Sequence, residues 1–274
     1  MDGAATRPVY RLGGGEITPA TDWLAEEVPV ALEYNGISHA VMLATPLDLA
    51  DFALGFSLSE GLLDGRHELY GVDTSADELG ITLRLQVSAA AFARLKAHRR
   101  AMAGRTGCGL CGTESLTAVV RALPAYTGAL RCTPAAIERA MVGMAARQPL
   151  QQLTGAVHAA AWCTADGAVV HLREDIGRHN ALDKLIGALA TAGVDASAGF
   201  IAVTSRASFE MVQKAATAGV GVLAAVSAPT TLAVATAERV GLTLAGFVRQ
   251  HGAVIYTHPG RIDLSAARAT AHAD

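Results

Sequence analysis

The chain has 274 residues, 51% hydrophobic and 17% charged, with a formal net charge of −3; this length can bury one large core or two modest ones, and the composition excludes disorder. The mild acidity excludes a footprint for bulk nucleic-acid or anionic-membrane binding, so any anion site has to be local. Four cysteines are too few for a disulfide framework, and the N-terminus lacks the basic flank and apolar stretch of a signal peptide; with no apolar run of membrane-spanning length, the expected compartment is the cytoplasm, with neither membrane nor nucleic acid as partner.

In chain order, Met1 to Thr21 carries Gly13-Gly14-Gly15 and little periodicity, and reads as a loose tail or an edge strand. Val28 to Leu43 reads as two strands around Asn35-Gly36, a strong two-residue hairpin signal. Thr45-Pro46-Leu47-Asp48 then opens a helix, with Pro at its first position, Leu49, Phe52, Ala53 and Phe56 on one face, and Gly61 as the stop. Ile81 to Val87 alternates as a strand. Ser88 caps the helix that follows through Phe92 and Leu95 to His98-Arg99-Arg100, a solvated helix end or a dock for an acidic partner.

Next come Cys108 and Cys111, a C-x-x-C pair flanked by Gly107, Gly109 and Gly112. The glycines permit positive φ and close approach of sulfur to another molecule. Thr113 can cap a helix from Glu114 to Val120, whose dipole, with Arg105, favours thiolate over thiol. Such a pair serves thiolate, redox or metal chemistry. Cys132 and Cys163 have no motif spacing and are expected in the core. The expected division is an N-terminal α+β domain over 1–103, a glycine-rich C-x-x-C loop and connecting helix over 104–125, and an α/β domain over 126–274.

In that last part Thr133-Pro134 starts a helix with Ile137, Met141 and Met144 inward. Strands are expected over Val157 to Trp162, Ala168 to Leu172, Phe200 to Thr204, Val220 to Val226, Leu242 to Val248 and Val254 to Tyr256. Helices are expected over Ala181 to Ala190, Phe209 to Ala218 and Leu232 to Val240. This alternation predicts a mixed or largely parallel sheet covered by helices. Ligands of such sheets bind beyond the carboxyl ends of the strands. Three turns there are polar: Arg173 to Asn180, followed by Asp183 and Lys184; Thr204 to Ser208 with Ser205 and Arg206, followed by Glu210 and Lys214; and Ser227 to Thr231. Phe247-Val248-Arg249-Gln250-His251-Gly252 adds an aromatic face, a cation and a permissive backbone. Each turn alone also reads as ordinary caps and ion pairs; their coincidence on one edge suggests a nucleotide-like anionic ligand. His158 sits in an apolar strand and reads as a core residue. No second C-x-x-C, Walker A, G-x-S-x-G or deaminase zinc motif is present, so no metal site is expected.

The longer motifs are Glu27-Val28-Pro29-Val30, Asp51 to Gly61, Cys108 to Gly112, Glu174 to Lys184, Thr204 to Lys214, Gly246 to Arg249 and Tyr256 to Pro259. Together they resemble the FdhD (NarQ) family of sulfur carriers required for formate dehydrogenase activity. The resemblance implies a cytidine-deaminase-like C-terminal domain, a smaller N-terminal domain and a homodimer. It also implies that Cys108 takes sulfur from a cysteine desulfurase as a persulfide and passes it to molybdenum bis(molybdopterin guanine dinucleotide) before that cofactor enters formate dehydrogenase. Cys111 matches the second loop cysteine, and Phe247 to Gly252 matches the cofactor-contacting segment, with Gly252-Ala253 departing from the family pattern. Guanosine diphosphate ends, or a GDP-like nucleotide in the same place, would then be held by His179, Asn180, Asp183, Lys184, Ser205, Arg206, Lys214, Phe247 and Arg249. A thioredoxin-type dithiol reductase and a zinc-binding adaptor are the alternatives.

Overall fold

A computed structural model of the protein describes residues 2–102, 122–249 and 252–265. The expected C-x-x-C loop with Cys108 and Cys111, its helix from Glu114, and Gln250 and His251 lie outside the described residues. The chain begins with an antiparallel hairpin of β1 (Ala4–Gly13) and β2 (Glu16–Ala25), turning at Gly14 and Gly15 with φ of 61° and 82°. Of the two readings of this stretch the edge strand therefore holds and the loose tail does not: β1 and β2 pair with each other alone, which makes each of them an edge. Only the base of the hairpin is packed, where Ala4, Trp23 and Ala25 meet Leu47, Leu150 and Val157. Further out both faces are wet, which removes the one-sided apolar alternation that marks a strand.

The pattern around Asn35-Gly36 gives β3 (Val28–Tyr34) and β4 (Ile37–Ala44), with positive φ at both turn residues as a type I′ turn demands. Helix α1 (Leu49–Ser59) follows, then β5 (Leu69–Asp77), β6 (Gly80–Val87) and α2 (Ala89–Met102). The four strands pair in the order β4-β3-β6-β5, with β3 and β6 parallel. Val30, Leu32, Tyr34, Leu83 and Leu85 point from this sheet onto Phe52, Phe56 and Leu95 to make one core.

The second half supplies α3 (Pro134–Ala145), the short α4 (Pro149–Thr154), β7 (His158–Thr164), β8 (Val169–Asp175) and α5 (Arg178–Ala192). It continues with β9 (Gly199–Val203), α6 (Phe209–Thr217), β10 (Val222–Ala225), α7 (Thr231–Arg239), β11 (Thr243–Arg249) and β12 (Gly252–Ile255). The sheet order is β12-β11-β10-β9-β7-β8, parallel across β9, β10 and β11 and antiparallel elsewhere. Both faces are covered. Ala160, Trp162, Ile201 and Leu223 meet α5, α6 and α7 on one side, while Ala159, Ala161, Phe200 and Ala224 meet α3 on the other. This is why these strands read as unbroken apolar runs. The protein is thus α/β, with a mixed six-stranded sheet as its larger layer. Among the described residues no helix is long and apolar enough to cross a membrane.

The two halves meet where α1 lies on α5. A Cβ added at Gly55 would stand 2.6 Å from the carbonyl carbon of Asp183 and 2.7 Å from the nitrogen of Gly187; one added at Gly187 would stand 2.7 Å from the carbonyl carbon of Asp51 and 2.9 Å from the nitrogen of Gly55. Only two glycines facing each other let the helix backbones approach this closely. The start of α1 differs from expectation. Its N-cap is Asp48, in the left-handed region with φ 53° and no side-chain cap bond, because Thr45 turns away from the helix to bond Asp175 across the seam.

A methyl group at this crossing forces backbone apart from backbone. Gly187→Ala should therefore lower stability by about 3 kcal/mol, seen as a fall in the urea midpoint. Gly71→Ala, where a Cβ meets nothing within 4 Å, should leave the midpoint nearly unchanged.

Candidate functional site

Strands β8, β9, β10 and β11 all end, and β7 begins, on one edge of the six-stranded sheet. Helix α5 starts there with Arg178 and His179, and α6 starts after Thr204, Ser205 and Arg206. Neither helix has a side-chain cap bond: Gly177 precedes α5, and Ser208 before α6 has a buried Oγ without a partner. Their first-turn N–H groups, the positive ends of two helices, thus converge on one place. The buried Nε of Arg178 is also without a partner. Arg206 and Arg249 are exposed, and the buried Ser205 donates its hydroxyl to the Arg206 carbonyl at 2.9 Å. Unpaired donors and cations at two uncapped helix starts suit an anion such as a phosphate.

His179 Nε2 lies 2.8 Å from Glu210 Oε2, linking α5 to α6. That hydrogen bond holds the Glu210 carboxyl below its ordinary range. His158 opens β7 on the same edge, with Nδ1 3.4 Å from Thr204 Oγ1. Burial, and then the charges of Arg178 and His179, lower its pKa, which favours the neutral ring. At the end of β11 the register shifts between Gly246 and Arg249, and Phe247 adopts φ 52° with 43% of its surface exposed. Positive φ is rare for an aromatic residue, and such strain gathers at ligand sites. Val248 is buried in the core beneath, while Gly252 is exposed at the start of β12.

Four of the expected ligand residues do different work. Asn180, Asp183, Lys184 and Lys214 are all 5% exposed or less, and they join the two halves of the molecule. Lys184 Nζ sits 2.7 Å from Asp175 Oδ2 and donates to Thr45 Oγ1 and the Thr45 carbonyl. Asp175 also accepts from the Thr45 N–H and hydroxyl, the Gly177 N–H and Asn180 Nδ2. Asn180 donates to the Leu43 carbonyl as well, at 2.7 Å. Lys214 Nζ lies 3.0 Å from each oxygen of Asp183, 2.7 Å from Glu60 Oε1 and 2.9 Å from Ser59 Oγ. Burial works against the Lys214 charge, but Asp183 and Glu60 outweigh it and hold the ammonium above its ordinary value. With their polar atoms consumed, these side chains form the floor of the edge rather than its lining. Of the partners, Thr45 reads as part of a helix opening, Ser59 and Glu60 lie in the Asp51 to Gly61 motif and Asp175 in the polar turn after β8, but nothing in the sequence pairs them with these lysines.

Cys132 and Cys163 are buried against α3, and burial raises their thiols to about 11 and about 12. Neither is a thiolate near neutral pH. Brief alkylation of the native protein should therefore modify Cys108 and Cys111 and spare Cys132 and Cys163, as read by peptide mass spectrometry. The His179–Glu210 pair makes a pH prediction. Because the folded pKa of Glu210 is depressed, its stabilisation is complete above the unfolded value near 4.3 and is lost as pH falls through the folded value. Wild type should exceed Glu210→Gln in stability by about 1 kcal/mol at pH 7, with the two converging in strong acid.

Comparison with known proteins agrees with this architecture. The model of the FdhD/NarQ family matches residues 25–263. A sulfur carrier protein FdhD of Variovorax paradoxus is 67% identical over 242 residues, covering 88% of this chain and 87% of that protein. Its counterpart in Cupriavidus necator is 56% identical over 265 residues, covering 97% and 92%. The crystal structure of a protein from Desulfotalea psychrophila, assigned as a formate dehydrogenase accessory protein, superposes with a TM-score of 0.75 at 21% identity, over 95% of this chain and 99% of that one. The chain belongs to the FdhD/NarQ family.

Proposed function

We propose that this protein is a sulfur carrier for formate dehydrogenase, in which Cys108 receives sulfur from a cysteine desulfurase and delivers it to molybdenum bis(molybdopterin guanine dinucleotide) held as cargo. The observation that carries the reading is the pairing of two features in one chain: a C-x-x-C motif whose companions Cys132 and Cys163 are buried with raised pKa, and a strand edge with anion-binding character. The relatives named sulfur carrier protein support it.

The chemistry follows from thiol exchange. The Cys108 thiolate attacks the outer sulfur of the donor persulfide, the donor S–S bond breaks, and the donor cysteine leaves as a thiolate. Cys108 then holds the persulfide until it is passed on. Cys111 stands ready to displace or shelter that sulfur. At the strand edge the phosphates of a guanosine diphosphate end fall to the starts of α5 and α6 with His179, Ser205 and Arg206. Phe247 offers its exposed ring for stacking, with Val248, Arg249, Gln250, His251 and Gly252 completing the segment. Asn180, Asp183, Lys184 and Lys214 support these groups from beneath. The carrier works as a homodimer in the cytoplasm.

After incubation with a desulfurase and cysteine, mass spectrometry should find one added sulfur on Cys108, and Cys108→Ser should leave the client dehydrogenase inactive. A serine variant that still supports an active client would overturn the proposal. GDP should bind the wild-type protein, and Arg206→Ala should weaken that binding about tenfold.

A further inference from the structure

A cleft of about 310 Å³ lies at the opposite end of the six-stranded sheet, lined by Gly128, Leu130, Arg131, His258, Gly260 and Arg261. Thr243 starts β11 at that end and Arg249 finishes it at the strand edge described above. A strand of seven residues puts roughly 20 Å between the two places, so the cleft is separate from the edge. Its walls come from stretches far apart in the chain. The Cys132 N–H donates to the Arg261 carbonyl at 3.0 Å and the Asp263 N–H to the Cys132 carbonyl at 2.8 Å, which clamps the first stretch beside the second. His258 is left-handed, with φ 45°, a strained backbone for a residue other than glycine. Its Nε2 donates to the Glu238 carbonyl at 2.9 Å, and its own carbonyl accepts from Thr243 Oγ1 at 2.7 Å, so the turn is held in that shape.

Arg261 is fixed as well. Its guanidinium lies over the Tyr126 ring, 4.7 Å from the centroid, and its Nη1 donates to Thr243 Oγ1 at 3.2 Å. Arg131 is exposed at the other wall. Among the described residues neither guanidinium forms an ion pair. Two like charges in one concavity repel, and an anion between them turns that repulsion into two charge-assisted attachments. The surroundings narrow the choice of anion. The Tyr126 ring is taken up by Arg261 and by close packing on Gly221, so it offers no platform to a base. Two carboxylates stand nearby: Glu238, with Oε2 3.7 Å from His258 Nε2, and Asp263, on which Arg131 acts electrostatically. They oppose a long polyanion or an acidic protein surface, and leave a compact ion as the ligand the cleft suits.

We propose that this cleft binds one small tetrahedral oxyanion of the phosphate or sulfate type per chain, held between the guanidinium groups of Arg131 and Arg261. Such an ion ties the stretch that follows the C-x-x-C segment to the turn after β12, and so stabilises the fold where that segment rejoins it. The site is independent of the strand edge and of the cargo proposed for it.

Calorimetry on the full-length chain tests it with inorganic phosphate, sulfate and acetate as probes, in saturating GDP so that the strand edge is occupied. Wild type should bind one phosphate or sulfate per chain, with acetate at least tenfold weaker. Arg131→Gln and Arg261→Gln should each weaken phosphate at least tenfold. Arg139→Gln makes the same change of charge on α3, at a side chain 60% exposed and paired with Asp166, and should leave phosphate binding unchanged. Thermal melting checks that each variant folds, and Arg131→Gln carries the test if Arg261→Gln, which also loses Tyr126 and Thr243, does not. Absence of saturable phosphate and sulfate binding to wild type overturns the proposal, as does an Arg131→Gln chain that binds like wild type or an equal loss in Arg139→Gln. Affinity for GDP alone, measured without the probes, should be the same in Arg131→Gln as in wild type, so the fate of this cleft and that of the carrier reading are decided separately.

Discussion

The ammonium groups of Lys184 and Lys214 and the carboxylates of Asp175 and Asp183 are shut away from water where the two halves of this protein meet, and the arrangement of everything above them depends on that burial. Removing such charges from water is expensive, and their attraction offsets the penalty only when the remaining lone pairs and protons are also bonded. Here they are. Asp175 gathers Lys184, Thr45, Gly177 and Asn180, and Asp183 gathers Lys214 and Ser59. An interface built this way discriminates strongly against a shifted register, because sliding α1 along α5 would strand a charge in an apolar surround. Arg173 adds a rim contact, with Nε and Nη2 at 2.9 and 2.7 Å from Asp51 Oδ2.

The same construction sets the geometry of the strand edge. Helices α5 and α6 both leave the sheet in the same direction, and they are cross-linked twice at a spacing of four residues. His179 meets Glu210 at the open end, and Asp183 meets Lys214 one turn further in. Residues four apart share a helix face, so the inner, dry pair dictates how the outer, half-exposed pair is presented. Asn180 and Lys184 repeat the spacing toward Asp175 and the β4–α1 connection. A single helix thus fastens the halves with its second turn and presents Arg178 and His179 with its first.

Much of this architecture could be read before folding was considered. Strands β7 to β12 and helices α5 to α7 announced themselves through apolar runs and helical periodicity, and Asn35-Gly36 through turn chemistry. Strands β1 and β2 did not, since most of their length is wet on both faces, and β5 was hidden because Leu69 and Val72 are too few to set a period. The residues of the edge were found as a group, but their depth was not. Charge in a helix reads as solvated or ligand-bound, and whether Asp183 and Lys184 face water depends on α1, more than a hundred residues earlier in the chain. A clue existed in the apolar neighbours Ala181, Leu182, Leu185 and Ile186, which leave little of that helix free to be a wet face. That the Ser208 Oγ is left without a partner has no sequence signature at all, because being unpaired is a property of the folded surroundings.

The contact of Gly55 with Gly187 has a mechanical meaning. Two helices that touch backbone to backbone have no side-chain cushion to compress and no slack to take up by changing rotamers. The seam between the halves therefore behaves as a weld and not as a hinge.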